Sequence, residues 1–246
     1  MDVFGSFALI LAFVCALYAF VGGIFAIVTR HPLLIKSARQ AGIATCGLIF
    51  IGTLSLEYLF FTDNFSVAYV VQHSNRDLPA FYKVAALWSG QEGSLLFWST
   101  ILAIYVLSVL LVYRNKNGEL MPYVGVVLAG VQLFFLVLNN FVSSPFKALG
   151  VAGAAGFVAR GDGNGLTPLL QYPEMVIHPP NLYSGYTGFT IPFAFALAAL
   201  LARYPGEKWI HLTRKWTMIA WCFQSLGIML GAHWAYAVLG WGGYWG

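Results

Sequence analysis

The chain has 246 residues, 59% of them hydrophobic, 17% aromatic and only 9% charged, with a formal net charge of +4. Soluble domains carry roughly a quarter charged residues, so one aqueous core under a polar shell is excluded and lipid is the expected solvent. The basic excess could suggest nucleic acid, but 13 Lys and Arg scattered over a membrane chain are explained first by topology. No nucleic-acid partner is expected.

A bilayer core about 30 Å thick takes about 20 apolar residues at 1.5 Å each, and residues 4–28 form the first such run. It lacks a basic leader and Asp2 precedes it, so it reads as a span and not as a signal peptide. Arg30, Lys36 and Arg39 occupy the connection 29–41, and a second run follows at 42–61, interrupted by Glu57. A long connection, 62–93, holds His73 and the sequence WSGQEG that begins at Trp88. Runs three and four, 94–113 and 123–142, flank a short basic connection with Arg114 and Lys116. Residues 143–183 are rich in Gly and Pro, which predicts irregular backbone. Within them His178 precedes Pro179 and Pro180, and the first proline pushes His178 toward extended geometry at the membrane surface. The fifth run is 184–202, a basic connection covers 203–216, and the sixth run, 217–239, contains His233.

Backbone polar groups find no water in hydrocarbon, so each run must be helical. The expected fold is an all-α integral membrane protein with about six transmembrane helices, forming one membrane domain over 1–246. Nine of the basic residues lie in the three short connections and four in the long ones and the ends. Lys and Arg stay cytoplasmic during insertion, so the N-terminus and both long loops, 62–93 and 143–183, should face outward from the inner membrane. Cys15, Cys46 and Cys222 each sit alone inside a run, which argues against disulfide, zinc and thiol-redox roles.

The residues suited to chemistry gather on the outward side. Trp88 and Trp98 bracket Gly90 and Gly93, which would thin the surface between them; Trp98 alone is also explained by an aromatic belt at the headgroups. Trp234 and Trp241 are seven apart and would share one face if the last helix ran that far. In the terminal GWGGYWG, Gly242 and Gly243 clear the space between Trp241, Tyr244 and Trp245, as a stacking platform for a flat apolar ligand requires. His178 is either an interfacial imidazole bonded to a carbonyl or an axial ligand to haem iron. A reading of another class uses Glu57 and His233 inside the bilayer as sites of a transporter or channel component.

Three segments, SVAYVVQHSNRDLPAFYKVAALWSGQEGSLLFW (66–98), LQYPEMVIHPPNLYSGYTGF (170–189) and LGIMLGAHWAYAVLGWGGYWG (226–246), together resemble the CcmF/NrfE family of cytochrome c-type biogenesis proteins. The resemblance runs in order along nearly the whole chain. It implies a cytochrome c haem lyase, which receives haem b from the haem chaperone CcmE. The lyase would position it for thioether formation with the C-x-x-C-H motif of apocytochrome c, presented by a CcmH-type thiol-handling partner. His178 then matches the family's outer-loop haem-ligand histidine, and Trp241, Gly242, Gly243 and Trp245 match the start of its WWD motif. Trp88, Trp234 and Tyr244 join these as expected cofactor-binding residues. Gly246 falls inside that motif, so the resemblance implies one of two cases: a split or truncated version, whose C-terminal half a second chain could supply, or an incomplete sequence. Val238 stands where relatives often have an acid, and Gln91 where many have His.

Overall fold

The computed structural model describes residues 1–116, 118–149 and 161–241. Its long helices are α1 (Asp2–Thr29), α2 (Pro32–Phe61), α5 (Gln91–Val112), α6 (Met121–Val137), α7 (Pro173–Gly188), α8 (Thr190–Leu201) and α9 (Lys208–Ala237). Two short helices, α3 (Ala68–His73) and α4 (Ala80–Ala86), lie between α2 and α5. Helix α1 packs against α2 and α6, α2 also against α5, α6 against α8, and α9 along α7 and α8.

The side chains are distributed as a lipid solvent demands. On α1 the buried positions are mostly small, with Gly5, Ala8, Ala12, Ala16, Ala19 and Gly23 turned to neighbouring helices. Its large residues, among them Phe7, Ile10, Val14, Val21 and Phe25, are exposed. With no water to escape, close backbone approach through small residues drives association, and bulky apolar groups can face the lipid.

Among the described residues five helices are long and apolar enough to cross a membrane: Asp2–Thr29, Pro32–Phe61, Gln91–Val112, Met121–Val142 and the joined pair Pro173–Leu201. The protein is an all-α integral membrane protein. The sixth expected run folds as part of the 30-residue helix α9, but Gln224, His233 and four Trp keep that helix out of this apolar class.

Several helices begin earlier than their apolar runs. Helix α2 starts at Pro32, ten residues before the run, because proline fits the first helical turn and Arg30, at φ 53°, reverses the chain in two residues. Lys36 and Arg39 therefore ride on a helix and not in a loop.

The largest departure is α7, since residues 173–183 are helical where irregular backbone was expected. Pro173 and Glu174 suit a first turn, one by its fixed φ and the other by its charge at the positive end of the dipole. Pro179 lacks the N–H that would bond the carbonyl of Met175. The indole Nε1 of Trp88 donates to that carbonyl at 3.1 Å instead. This long-range donor, 87 residues away in sequence, replaces the bond that Pro179 cannot make. Trp88→Phe leaves the buried carbonyl unpaired, a cost of about 1–3 kcal/mol. Thermal unfolding in detergent should show a lower midpoint for this variant.

The long connections are stitched together at the same end as the α7 N-terminus. Ala68 N–H donates to the Lys147 carbonyl at 3.0 Å, Leu149 N–H to Ser66 at 2.9 Å and Asn164 N–H to Val71 at 2.7 Å. Lys83, only 8% exposed, pairs with Asp63 at 2.6 Å. The Tyr69 hydroxyl donates to the Leu87 carbonyl at 3.0 Å and accepts from Gly90 N–H at 3.0 Å. Burial pushes that hydroxyl above its ordinary range, so it keeps the proton that the bond needs.

Gly90 and Gly93 do not open a ligand surface as expected. A Cβ on Gly90 would collide with the His73 ring, and one on Gly93 with the Leu87 carbonyl and the Tyr69 hydroxyl. Their missing side chains are filled from α3. Trp98 likewise packs inside the protein, 4.7 Å from Phe135 and 4.8 Å from Tyr186 between ring centroids, which departs from the belt reading.

Candidate functional site

Helices α7 and α9 run antiparallel and touch through a ladder of close contacts. Gly188 meets Ala220, Gly185 meets the Gln224 backbone, Gly227 meets the Leu182 backbone, and Gly231 meets the His178 ring. A Cβ added at Gly185 or Gly227 would lie 2.5 and 2.7 Å from the opposing backbone, so only glycine permits this spacing. The signal for it is in the sequence as Gly227-Ile-Met-Leu-Gly231, a G-x-x-x-G step in an apolar helix, which favours close helix pairing. Neither that step nor Glu174, the partner of His233, is among the residues the sequence singles out.

At the end of this ladder stands His178, on α7 in helical backbone and half-buried, not in an extended surface loop. Its Nδ1 lies 2.7 Å from the Gly227 carbonyl. A carbonyl can only accept, so Nδ1 carries the proton and Nε2 keeps its lone pair. Nε2 has no hydrogen-bond partner among the described residues. The Trp234 ring lies nearly parallel to the imidazole, with centroids 6.4 Å apart and planes 20° apart.

One turn before His178, Glu174 Oε1 lies 3.0 Å from His233 Nδ1. Glu174 Oε2 and Trp234 Nε1 are buried without a hydrogen-bond partner among the described residues. Two unsatisfied polar atoms beside a free imidazole nitrogen mark a place that can take a polar or metal-bearing ligand.

Trp88 lies beneath this site, 8% exposed, with its N–H on Met175 and its face 4.7 Å from Phe97. An aromatic chain continues from Phe97 to Tyr183 at 5.6 Å and from Tyr183 to Trp98 at 5.8 Å, seating α7 on α5. Helix α9 stops at Ala237, and Gly240, at φ 67°, turns the chain so that Trp241 N–H reaches back to the Ala235 carbonyl at 3.2 Å. Trp234 and Trp241 consequently do not share a helix face. Trp241 is 65% exposed. Gly242, Gly243, Tyr244 and Trp245 lie outside the described residues.

Glu57 is not brought to His233. It sits on α2, which packs against α1 and α5, with Oε2 buried and without a hydrogen-bond partner among the described residues, whereas His233 sits on α9 and pairs with Glu174. Among the described residues no group of three or more His, Cys, Asp or Glu could hold a metal ion by itself. A porphyrin needs less from the protein, because its own four nitrogens hold the iron and one free imidazole nitrogen completes an axial bond. The residues present fit that requirement.

The family described as Cytochrome C assembly protein matches residues 88–246. The cytochrome c-type biogenesis protein CcmF of Haemophilus influenzae is 36% identical over 245 residues, covering 98% of this chain and 36% of that protein. NrfE of the same organism is 37% identical over 249 residues, again covering 98% of this chain and 37% of the relative. CcmF of Pseudomonas aeruginosa is 42% identical over 190 residues, covering 77% of this chain and 28% of that protein. Among solved structures, a Cytochrome c Heme Lyase CcmF superimposes with a TM-score of 0.83 at 28% identity, covering 100% of this chain and 38% of the other. The chain spans less than two fifths of the length of each protein it matches here. With the helical ladder, the half-buried His178 and a matched segment running from Trp88 through both, the chain belongs to the cytochrome c assembly protein family, in its CcmF/NrfE group.

Proposed function

We propose that this chain serves cytochrome c maturation as the haem-holding part of a cytochrome c haem lyase. His178 Nε2 would be an axial ligand to the iron of haem b, with Trp234 beside the ring and Trp241, Gly242, Gly243, Tyr244 and Trp245 as the stacking platform. Trp88 acts from beneath, holding the helix that carries His178. The observation that carries this reading is the bond from His178 Nδ1 to the Gly227 carbonyl, which leaves the ligating nitrogen free and fixes the plane of the ring.

What haem supplies when bound is two vinyl groups, to which the cysteine thiols of a C-x-x-C-H apocytochrome c add as thioethers. The chain's part is to bind, orient and keep the edge bearing those groups open. Haem would come from CcmE and apocytochrome c through a CcmH-type partner, at the extracytoplasmic face of the inner membrane. In this reading 1–246 is one membrane domain, with the two long connections on that face.

The test is spectroscopic. Purified from haem-replete cells that co-express a maturation system, the full chain should carry a Soret band, and its pyridine haemochrome should be that of haem with both vinyls intact. Haem-free protein from such cells overturns the proposal.

A further inference from the structure

At the end of the bundle opposite His178, helices α1, α2, α5 and α6 enclose a cavity of about 430 Å³. That lies within the range of about 300–1,000 Å³ typical of small-ligand sites. Small residues carve it: Ala19 and Gly23 on α1, Ala38 and Gly42 on α2, Gly125 and Ala129 on α6. A Cβ built on Gly125 meets nothing within 4 Å, so this position faces open space.

The lining divides by chemistry. Lys36, Arg39, Arg114 and Lys116 stand at the mouth, whereas the walls are apolar, with Val106, Leu110 and Val126 among them. None of the four cations makes an ion pair among the described residues. Glu119, exposed in the same connection, does not line the cavity. Arg39 Nη1 donates to the Arg114 carbonyl at 2.7 Å, which holds the two basic segments side by side across the mouth.

Depth identifies the occupant. Gln132, 1% exposed, lines the cavity and lies 11 residues into α6 from Met121. At 1.5 Å per residue the floor is about 16 Å from the mouth, close to half of the roughly 30 Å hydrocarbon core. The cavity therefore opens at one interface and ends near the bilayer midplane, spanning one leaflet.

We propose that this cavity is a binding site for one anionic phospholipid of that leaflet, with its head phosphate among Lys36, Arg39, Arg114 and Lys116 and an acyl chain in the slot floored by Gln132. Unpaired cations between transmembrane helices attract anionic headgroups, and the glycine and alanine walls leave room for a hydrocarbon chain. The site is independent of the haem reading, since it shares no residue with the α7–α9 ladder.

The test is native mass spectrometry of the full chain in detergent, titrated with dioctanoyl-phosphatidylglycerol, dioctanoyl-phosphatidylcholine and glycerol phosphate. One phosphatidylglycerol should bind per chain, at least tenfold more tightly than phosphatidylcholine. Lys36→Gln with Arg114→Gln removes two exposed cations and should weaken it roughly 25-fold, at about fivefold for each charge. Gly125→Leu fills the slot, keeps every cation and improves helix propensity; it should abolish the bound lipid without lowering the unfolding midpoint. Equal affinity for the two lipids overturns the proposal, as does unchanged binding in either variant. Competition by glycerol phosphate at the affinity of phosphatidylglycerol also overturns it, because the ligand would then be a free phosphate ester.

Discussion

His178→Ala is expected to lower the haem bound per chain by tenfold or more. Changes to groups that only orient a metal ligand already cost about 10–100-fold in affinity, and this substitution removes the ligand itself. The fold should survive it, because His178 is half-buried and what it touches on α9 is the Gly227 carbonyl, the Gly231 backbone and the Trp234 face, none of which needs the ring to stay in place. A packing role is separated by rescue: His178→Gly leaves a ring-sized gap, and millimolar imidazole should restore the Soret band. Rescue requires a site that still binds a porphyrin and lacks only its nitrogen. A band that persists in His178→Ala at wild-type intensity would remove His178 from the iron.

How much of this arrangement is legible in the sequence follows from which partners are local in it. The spans were readable because hydropathy is a property of consecutive residues, and α1 departs from its apolar run by only a few residues at either end. The prolines after His178 mark it in the sequence, but they predict extended backbone where the chain is helical. Proline breaks a helix by orphaning a carbonyl, and here Trp88 adopts the orphan from 87 residues away. No window around His178 contains that donor. Gly90 and Gly93 misled for the same reason, since the side chains that fill their space, Tyr69 and His73, arrive from α3. Trp98 looked like an interfacial anchor because indole alone does not say whether it faces lipid or Tyr186. Glu174 carried no local signal: its partner His233 is 59 positions further on, across an antiparallel helix pair.

The two axes of the bundle put different demands on the same residue type. Around the cavity at the basic end, Gly125 leaves space empty. Along α7 and α9, glycine lets two backbones touch, and it is there that a methyl group does most damage. Gly231→Ala and Gly185→Ala make the comparison, because each adds one carbon to the same ladder at a different kind of neighbour.

At Gly231 the new Cβ would lie 2.5 Å from His178 Cε1 and 2.8 Å from Nδ1. The imidazole is a side chain and can swing away, but doing so breaks the bond from Nδ1 to the Gly227 carbonyl and releases the orientation of Nε2. Loss of that orienting bond is expected to weaken haem binding by about 10–100-fold, with a small change in unfolding midpoint, because alanine regains helix propensity that glycine lacks. At Gly185 the Cβ would lie 2.5 Å from both Cα and N of Gln224, and backbone cannot swing away. The helices must separate, at about 1–3 kcal/mol as overpacked interiors cost, so the midpoint falls while folded protein keeps its haem affinity. The pair of variants thus crosses over: one loses ligand with little loss of stability, the other loses stability with little loss of ligand. If Gly231→Ala binds haem as the parent does, the tether to Gly227 is not what readies His178, and the imidazole finds iron by some other constraint.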